Sequence, residues 1–288
     1  MNTLELVDYV RELGSLPDGR FSDSQIIGLA DGEITDLYMQ ILSVRSDYMV
    51  ETVPMSGTSF RIPPRAIGQK VRNIVAKLGT KYINIARINQ DDLPVEAMGY
   101  YYKNNTVFFN KVHDQLPGVT FDVSYYARPG TLVSISSSAR CIAASSTGSV
   151  WSGAPLTGSA YDVVKGTSGF ETLSASLAVS ASVSGASWPY TSTVATVIPG
   201  LEVADWLSAP NTSPVPQLPD EFHTVLATVT ISRCLDSIGD NEGFARAKNQ
   251  AKQQLDTAIA TIAERDDGSP EKLRLETFSP WVYTRRNY

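Results

Sequence analysis

The chain has 288 residues, of which 42% are hydrophobic and 19% are charged, and its formal net charge is −6. A chain of this length and composition can bury one large core or two ordinary ones. The acidic balance argues against a protein that wraps nucleic acid through a basic face, because such domains have a high pI.

The N-terminal residues, the apolar windows and the cysteines indicate neither a secreted nor a membrane protein. Residues 1–13 are acidic and amphipathic rather than basic and then apolar, so we expect no secretion signal. No apolar window has the length needed to cross a bilayer, so we expect no membrane partner. Cys141 and Cys234 lie far apart and give neither a disulfide framework nor zinc-ligand spacing.

Two helices are predicted in the N-terminal part. Apolar residues recur at helical spacing over residues 3–13. Ser22 and Gln25 have the spacing of a capping box, and the apolar period after them predicts a longer helix that ends near Val44. Gly28 costs this helix about 1 kcal/mol relative to Ala, and the sequence leaves open whether it permits a close helix contact or is only tolerated.

A block of β-strands follows, because the hydrophobic period changes to two from about residue 49. Aromatic segments flank Asn104-Asn105, which is a signature of a two-residue hairpin. The predicted strands are 59–62, 70–78, 82–88, 100–103, 106–109 and 121–125.

Residues 133–208 differ in composition, since roughly a quarter of them are Ser and many others are Thr, Gly or Ala. Aliphatic and aromatic residues nevertheless recur through this stretch, as they do not in disordered chains. Short strands separated by Gly and Pro turns, as in a small β-barrel or β-sandwich, explain the pattern.

The C-terminal part returns to a helical period. Residues 210–219 contain four prolines, which predicts a linker or a rigid elbow. Asp220 and Glu221 then begin a helix that Gly239 ends, since acidic residues are favourable in a first helical turn. A second helix is predicted to end near Arg265.

The segment 278–288 is distinguished by its composition, with four aromatic residues and two arginines. These residue types form the energetic centres of protein interfaces, so the segment is predicted to bind a neighbouring protein. The alternative is that it packs back on its own domain or takes no fixed structure.

The sequence contains no constellation of catalytic residues. The two histidines, His113 and His223, lie in a loop and near a helix start, where a solvent-exposed or hydrogen-bonded His is the ordinary case. Ser168 lacks the glycine two positions later that a nucleophile elbow requires. The paired acids at 91–92 and 266–267 lie in turn-like places, where Asp caps backbone amides. We therefore expect no enzymatic activity, no cofactor and no metal ion.

Several segments occur in the order seen in one known protein family. They are the capped helix at 22–42, the Phe-Arg-Ile-Pro-Pro-Arg-Ala-Ile-Gly segment at 60–68, the tyrosine hairpin at 100–109, the Tyr-Tyr-Ala-Arg-Pro segment at 125–129, the Ser-Pro-Val-Pro-Gln-Leu-Pro-Asp-Glu-Phe-His segment at 213–223 and the helix end at 258–265. On these segments the chain resembles the head-to-tail adaptor (connector) proteins of tailed bacteriophages, most closely the larger type of podovirus-like phages. Residues 213–223 are the most specific segment, and some of these adaptors have an insertion similar to residues 133–208.

The order of helices, strands, Ser-rich β segment and helices along the chain predicts an α+β fold, and the resemblance agrees with it. N- and C-terminal helices form a helical base, from which a β-strand block and an inserted Ser-rich β-barrel or β-sandwich domain extend. Residues 1–132 and 209–268 form the adaptor core in this scheme, residues 133–208 the inserted domain, and residues 269–288 a C-terminal docking tail.

The resemblance also implies a structural virion protein of the viral neck, assembled in the host cytoplasm. About twelve copies form a homo-oligomeric ring under the portal protein, connect the capsid to the tail and continue the DNA channel. DNA passes through the lumen without specific binding, a tail nozzle or tube protein binds below, and tail fibres are a further partner. The residues implied to contact the portal are Phe278, Trp281, Val282, Tyr283, Arg285, Arg286 and Tyr288.

Two other functions stay open. The chain could be a tail completion or fibre-attachment protein that uses the Ser-rich region as its working surface. It could instead bind carbohydrate through the tyrosines at 100–102 and 125–126. Helices at both ends favour an adaptor over a fibre protein, and the lack of a carboxylate pair beside an aromatic groove weighs against carbohydrate chemistry.

Overall fold

The computed structural model describes residues 1–16, 19–44, 50–89, 98–116, 118–158, 160–166, 172–179, 181–185 and 187–263. These residues form a mixed α+β fold of helices and mainly antiparallel sheets, which confirms the predicted fold class. The helices are α1 (Thr3–Gly14), α2 (Asp23–Val44), the single-turn α3 (Val112–Gln115), α4 (His223–Ile238) and α5 (Asn241–Ile262). Short 3-10 turns occur at Ile67–Gln69, Ile135–Ser137 and Asp220–Phe222.

The strands fall into three groups along the chain. The first group is β1 (Val50–Met55), β2 (Ser59–Arg61), β3 (Asn73–Leu78), β4 (Lys81–Asn84), β5 (Gly99–Lys103), β6 (Thr106–Asn110) and β7 (Thr120–Tyr126). The second is β9 (Ala139–Ser145), β10 (Gly148–Gly153), β11 (Ala160–Val164), β12 (Thr172–Ala178), β13 (Ala181–Ser184), β14 (Tyr190–Val194) and β15 (Trp206–Ser208). The third is the short pair β8 (Thr131–Leu132) and β16 (Thr212–Ser213).

Helices from both ends of the chain pack around one apolar cluster. Helix α4 lies at its centre, in contact with α1, α2 and α5. Leu6, Tyr38 and Phe222 are completely buried in this cluster. Burying a large apolar side chain stabilises the fold by about 1.5–3 kcal/mol, so helices that are distant in sequence complete a single core.

Local capping explains where these helices begin and end. The Asn2 side chain accepts hydrogen bonds from the amides of Leu4 and Glu5, and Glu5 bonds back to the Asn2 amide. The predicted capping box of α2 is confirmed, since the Ser22 amide donates to Gln25 Oε1 at 2.8 Å. Gly239 ends α4 with a φ of 81°, a left-handed conformation that glycine adopts easily.

The first group of strands forms two antiparallel sheets that share a second apolar cluster. The sheets have the orders β1-β7-β3-β4 and β2-β6-β5. The predicted hairpin is confirmed, because Asn104 and Asn105 have φ values of 49° and 56°, as a two-residue turn of this type requires. The predicted strands at 70–78 and 82–88 are shorter in the structure, where β3 and β4 are joined by a turn at Gly79.

The second group forms one antiparallel sheet of seven strands in the order β12-β11-β15-β9-β10-β14-β13. Trp151 is completely buried in its core, where its indole nitrogen donates to Ser149 Oγ at 2.7 Å. Of the two predicted alternatives, a barrel or a sandwich, the closed barrel is wrong for the described residues, because β12 and β13 each pair on one side only and leave the sheet open. Both edge strands pack partly buried side chains on the core, so the sheet curves around it.

The proline-rich segment that follows this sheet is buried from Ser213 to Pro219. It lies beside the segment that enters the sheet, since β16 and β8 pair in parallel. Of the two predicted alternatives, a linker does not fit this buried and paired segment, whereas an elbow within the interior does. Within the described ranges, no helix combines the length and apolar character needed to cross a membrane.

Candidate functional site

Arg65 lies at a partly buried junction between the first group of strands, the seven-stranded sheet and the proline-rich segment. Its Nε and Nη2 atoms donate to the carbonyl oxygen of Arg128 at 3.1 and 3.0 Å. Its Nη1 atom lies 2.8 Å from Thr172 Oγ1 and 3.2 Å from Glu51 Oε1. The Arg65 side chain is only 10% exposed, so its charge depends on these partners for stabilisation.

Gln217 is the second centre of this junction and is 1% exposed. Its Oε1 atom accepts from the Gly130 amide at 2.6 Å and from Arg65 Nη2 at 3.1 Å. Its Nε2 atom donates to Thr172 Oγ1 at 3.0 Å. One side chain thus joins the segment that enters the seven-stranded sheet, the segment that leaves it and strand β12.

Two tyrosines extend the junction toward the helices. Tyr125 donates to Glu51 Oε2 at 2.6 Å. Burial and this hydrogen bond raise the pKa of Tyr125, so that it remains a protonated donor. Tyr38 of α2 lies nearby, and burial followed by the charge of Glu51 raises its pKa as well. The Tyr38 hydroxyl has no hydrogen-bond partner among the described residues.

The junction joins three segments of the adaptor resemblance. Arg65 comes from segment 60–68, Arg128 from segment 125–129 and Gln217 from segment 213–223. Sequence reasoning did not single out the junction itself, because Arg65 and Gln217 are 152 residues apart and no short-range spacing links them. Its charged groups are all partnered, so the arrangement fixes the relative position of segments rather than supplying a reactive group.

The exposed side of the β2-β6-β5 sheet forms a face that we call the outer sheet face. Its residues follow from the strand register and are Ser59, Arg61, Tyr101, Lys103, Thr106 and Phe108. Tyr101 and Phe108 stack, with ring centroids 5.6 Å apart and planes at 18°. Arg61 and Lys103 are exposed on either side of Thr106, so two cations lie beside an aromatic pair.

The exposed side of α1 forms a face of opposite charge, which we call the α1 face and which consists of Leu4, Glu5, Asp8 and Glu12. Positions three or four apart share one side of a helix, so these four residues lie together. Arg11 borders them, three positions after Asp8, but its charge is paired with Asp23. All four are exposed, and Leu4 is 45% exposed. Asp8 and Glu12 have no ion-pair partner within the part of the chain that the structure describes.

The residues predicted to contact a portal lie outside the described residues, which end at Ala263. They are Phe278, Trp281, Val282, Tyr283, Arg285, Arg286 and Tyr288. The paired acids at 91–92 and 266–267 also lie outside, as do Ser168 and the side chain of His113.

The other residues considered for chemistry are buried and structural. His223 Nε2 lies 3.2 Å from the Pro216 carbonyl and 3.1 Å from the Leu218 carbonyl, and burial lowers the pKa of His223. Burial raises the pKa of Cys234 to about 11 and raises that of Cys141 too, which makes both thiols poor nucleophiles. No three His, Cys, Asp or Glu side chains of the described residues come together as metal ligands.

Comparison with known proteins adds no relative to these observations. No protein-family model matches the chain, and no curated protein matches it either.

Proposed function

We propose that this chain is a structural virion protein, a head-to-tail adaptor that forms a ring under the portal protein of a tailed bacteriophage. The observation that supports this proposal most directly is the Arg65 junction, where three segments of the adaptor resemblance meet. Segments that share one polar network constrain each other's sequence, because each group must keep its partner. The presence of all three segments in one chain thereby has a structural reason.

In this proposal, each part of the chain has a role. Residues 1–132 and 209–268 are the adaptor core, and the helices from both ends form the base of the ring. Residues 133–208 are an inserted domain that faces the tail, its nozzle or tube protein and its fibres. Residues 269–288 dock on the portal. The net charge of −6 supports a lumen through which DNA passes without being held, since phosphates bind to basic surfaces.

The proposal is tested with DNA-filled heads that carry a portal but no neck. Wild-type protein is expected to bind these heads in about twelve copies and to allow tails to join. A variant lacking 278–288 is expected to stay unbound, as is Trp281→Ser. Failure of the wild-type protein to bind any portal-bearing head contradicts the adaptor function, whereas full binding by the truncated variant contradicts only the docking tail.

A second candidate is a tail completion or fibre-attachment protein that works through the seven-stranded sheet. The observation behind it is that several large hydrophobic side chains of that region are exposed and so available for contact with a partner. These residues are Ile142, Val183, Trp188, Val197 and Val203. Trp188→Ser is the matched control for Trp281→Ser: loss of tail or fibre joining with normal head binding in this variant favours the second candidate.

A further inference from the structure

We propose that the outer sheet face of one copy binds the α1 face of a second copy, so that copies associate head to tail. The inference rests on the proposed ring and names the surfaces that would build it. A head-to-tail contact needs two different, complementary surfaces on one subunit, and repetition of that contact closes a ring.

The first support is the separation of charge along the chain. Residues 1–49 contain nine acidic and three basic residues, whereas residues 50–130 contain ten basic and six acidic residues. The net charge of −6 is therefore unevenly distributed: residues 50–130 are basic, whereas residues 1–49 are acidic. Two of the basic residues are neutralised within the chain, Arg65 by Glu51 and Lys77 by Asp122.

The second support is the chemistry of the outer sheet face. Arg61 and Lys103 make no ion pair with any described residue, and both are exposed. They lie two strands apart in one cross-strand row, roughly 10 Å from each other at ordinary strand spacing. The half-buried rings of Tyr101 and Phe108 occupy the next row, which gives the face an apolar centre beside its cations.

The third support is that the α1 face matches this pattern in size and in charge. Leu4 to Glu12 span about 12 Å of helix at 1.5 Å per residue. The exposed Leu4 can cover the aromatic pair, while Asp8 and Glu12 can reach the two cations. Complementary charge of this kind favours association and fixes the register of the partners.

A second copy fits these observations better than nucleic acid does. The aromatic rings on the outer sheet face stack on each other, whereas a platform for single strands stacks its rings on successive bases. The matching acidic and apolar face is present on every copy of the chain. Binding of single-stranded DNA is the competing explanation for the outer sheet face, and the test below distinguishes it.

Charge exchange tests the proposal. One variant carries Asp8→Lys and Glu12→Lys, and another carries Arg61→Glu and Lys103→Glu. Each alone is expected to need on the order of tenfold more protein for half-maximal ring assembly on portal-bearing heads, because attraction becomes repulsion. A mixture of the two, or all four changes in one chain, is expected to restore assembly. The mixture can close only rings with an even number of copies, since its subunits must alternate.

The matched control reverses two exposed acids that belong to neither of the two contacting faces, Asp236→Lys and Asp256→Lys, and is expected to assemble like wild type. Melting temperatures of all variants establish that each is folded. A second measurement needs no head: Leu4→Cys protein mixed with Tyr101→Cys protein is expected to form intermolecular disulfides, while neither variant forms them with itself.

Two results would overturn the inference and leave the adaptor function intact. One is that both charge-reversed variants assemble on heads as readily as the wild-type protein does. The other is failure of the mixture to recover, with no disulfide between the two cysteine variants. Loss of binding to a single-stranded oligonucleotide by the Arg61→Glu, Lys103→Glu variant, with unchanged assembly, would overturn it in favour of a nucleic-acid surface. If wild-type protein never binds heads, the proposed function fails, and the disulfide measurement still decides the contact.

Discussion

Replacing Arg65 with Met should destabilise the protein far more than removing the charge of an exposed arginine would. The methionine keeps most of the packing of the arginine stem but removes every guanidinium hydrogen bond. It leaves the Arg128 carbonyl and Thr172 Oγ1 without a cationic donor. It also leaves Glu51, only 24% exposed, without its counter-ion.

The magnitude follows from this burial. Removing one member of a buried ion pair costs about 3–5 kcal/mol, because the remaining charge is uncompensated. Glu51 is not fully buried and keeps its hydrogen bond from Tyr125, which lowers the expected cost to roughly 2–4 kcal/mol. For a chain of this length, such a loss lowers the melting temperature by on the order of 5–10 °C.

The assay combines thermal unfolding with amide hydrogen exchange. The chain has several separate apolar clusters, so a local opening need not unfold the whole molecule. We expect Arg65→Met to increase exchange in strand β12 and around Gly130, which the junction holds. Arg246→Met is the matched control, because Arg246 forms an ion pair with Glu242 in which both side chains are more than three-quarters exposed. Such exposed pairs contribute little to stability.

A double-variant cycle isolates the pair itself. Glu51→Gln combined with Arg65→Met should cost less than the sum of the two single changes, because the second change removes the charge that the first leaves uncompensated. Our account of the junction is refuted if Arg65→Met has no larger effect than Arg246→Met. It is also refuted if the two changes at the junction are strictly additive.

Three further predictions concern single side chains. Gln217→Leu leaves the Gly130 amide buried without an acceptor and should cost about 1–3 kcal/mol in a denaturant titration, with Gln250→Leu on the exposed side of α5 as a neutral control. Burial lowers the pKa of His223 in the folded state, so the folded protein is more stable above the ordinary pKa of 6.5, and this stability is lost as the pH falls below that value. His223→Gln should flatten this pH dependence of the melting temperature. An unchanged pH profile in the variant would contradict this account of His223. Gly28→Ala should raise the free energy of unfolding by about 0.5–1 kcal/mol, because an added Cβ meets no other atom within 4 Å, and a drop in stability would show that this account is wrong.

Local features of the sequence predicted the elements that local physics controls. Helix α2 begins at a capping box whose donor and acceptor are three residues apart, and the β5–β6 hairpin turns at two adjacent asparagines. Hydrophobic period separated helical from extended segments, since side-chain direction repeats every 3.6 or two residues regardless of the rest of the chain. The α+β class could therefore be predicted without a structure.

Contacts between distant segments were decided only by the tertiary structure. Four prolines in ten residues resemble a linker, yet Ser213 to Pro219 are buried, because the segment crosses the interior beside the chain that enters the seven-stranded sheet. Alternating strands in the Ser-rich region did not determine whether the sheet closes, since closure depends on which edges pair. The Arg65 junction could not be predicted, because hydrogen bonds across 152 residues leave no periodic pattern in the sequence. What the sequence determined by itself was thus the type of each element, whereas the partners of each element required the folded chain.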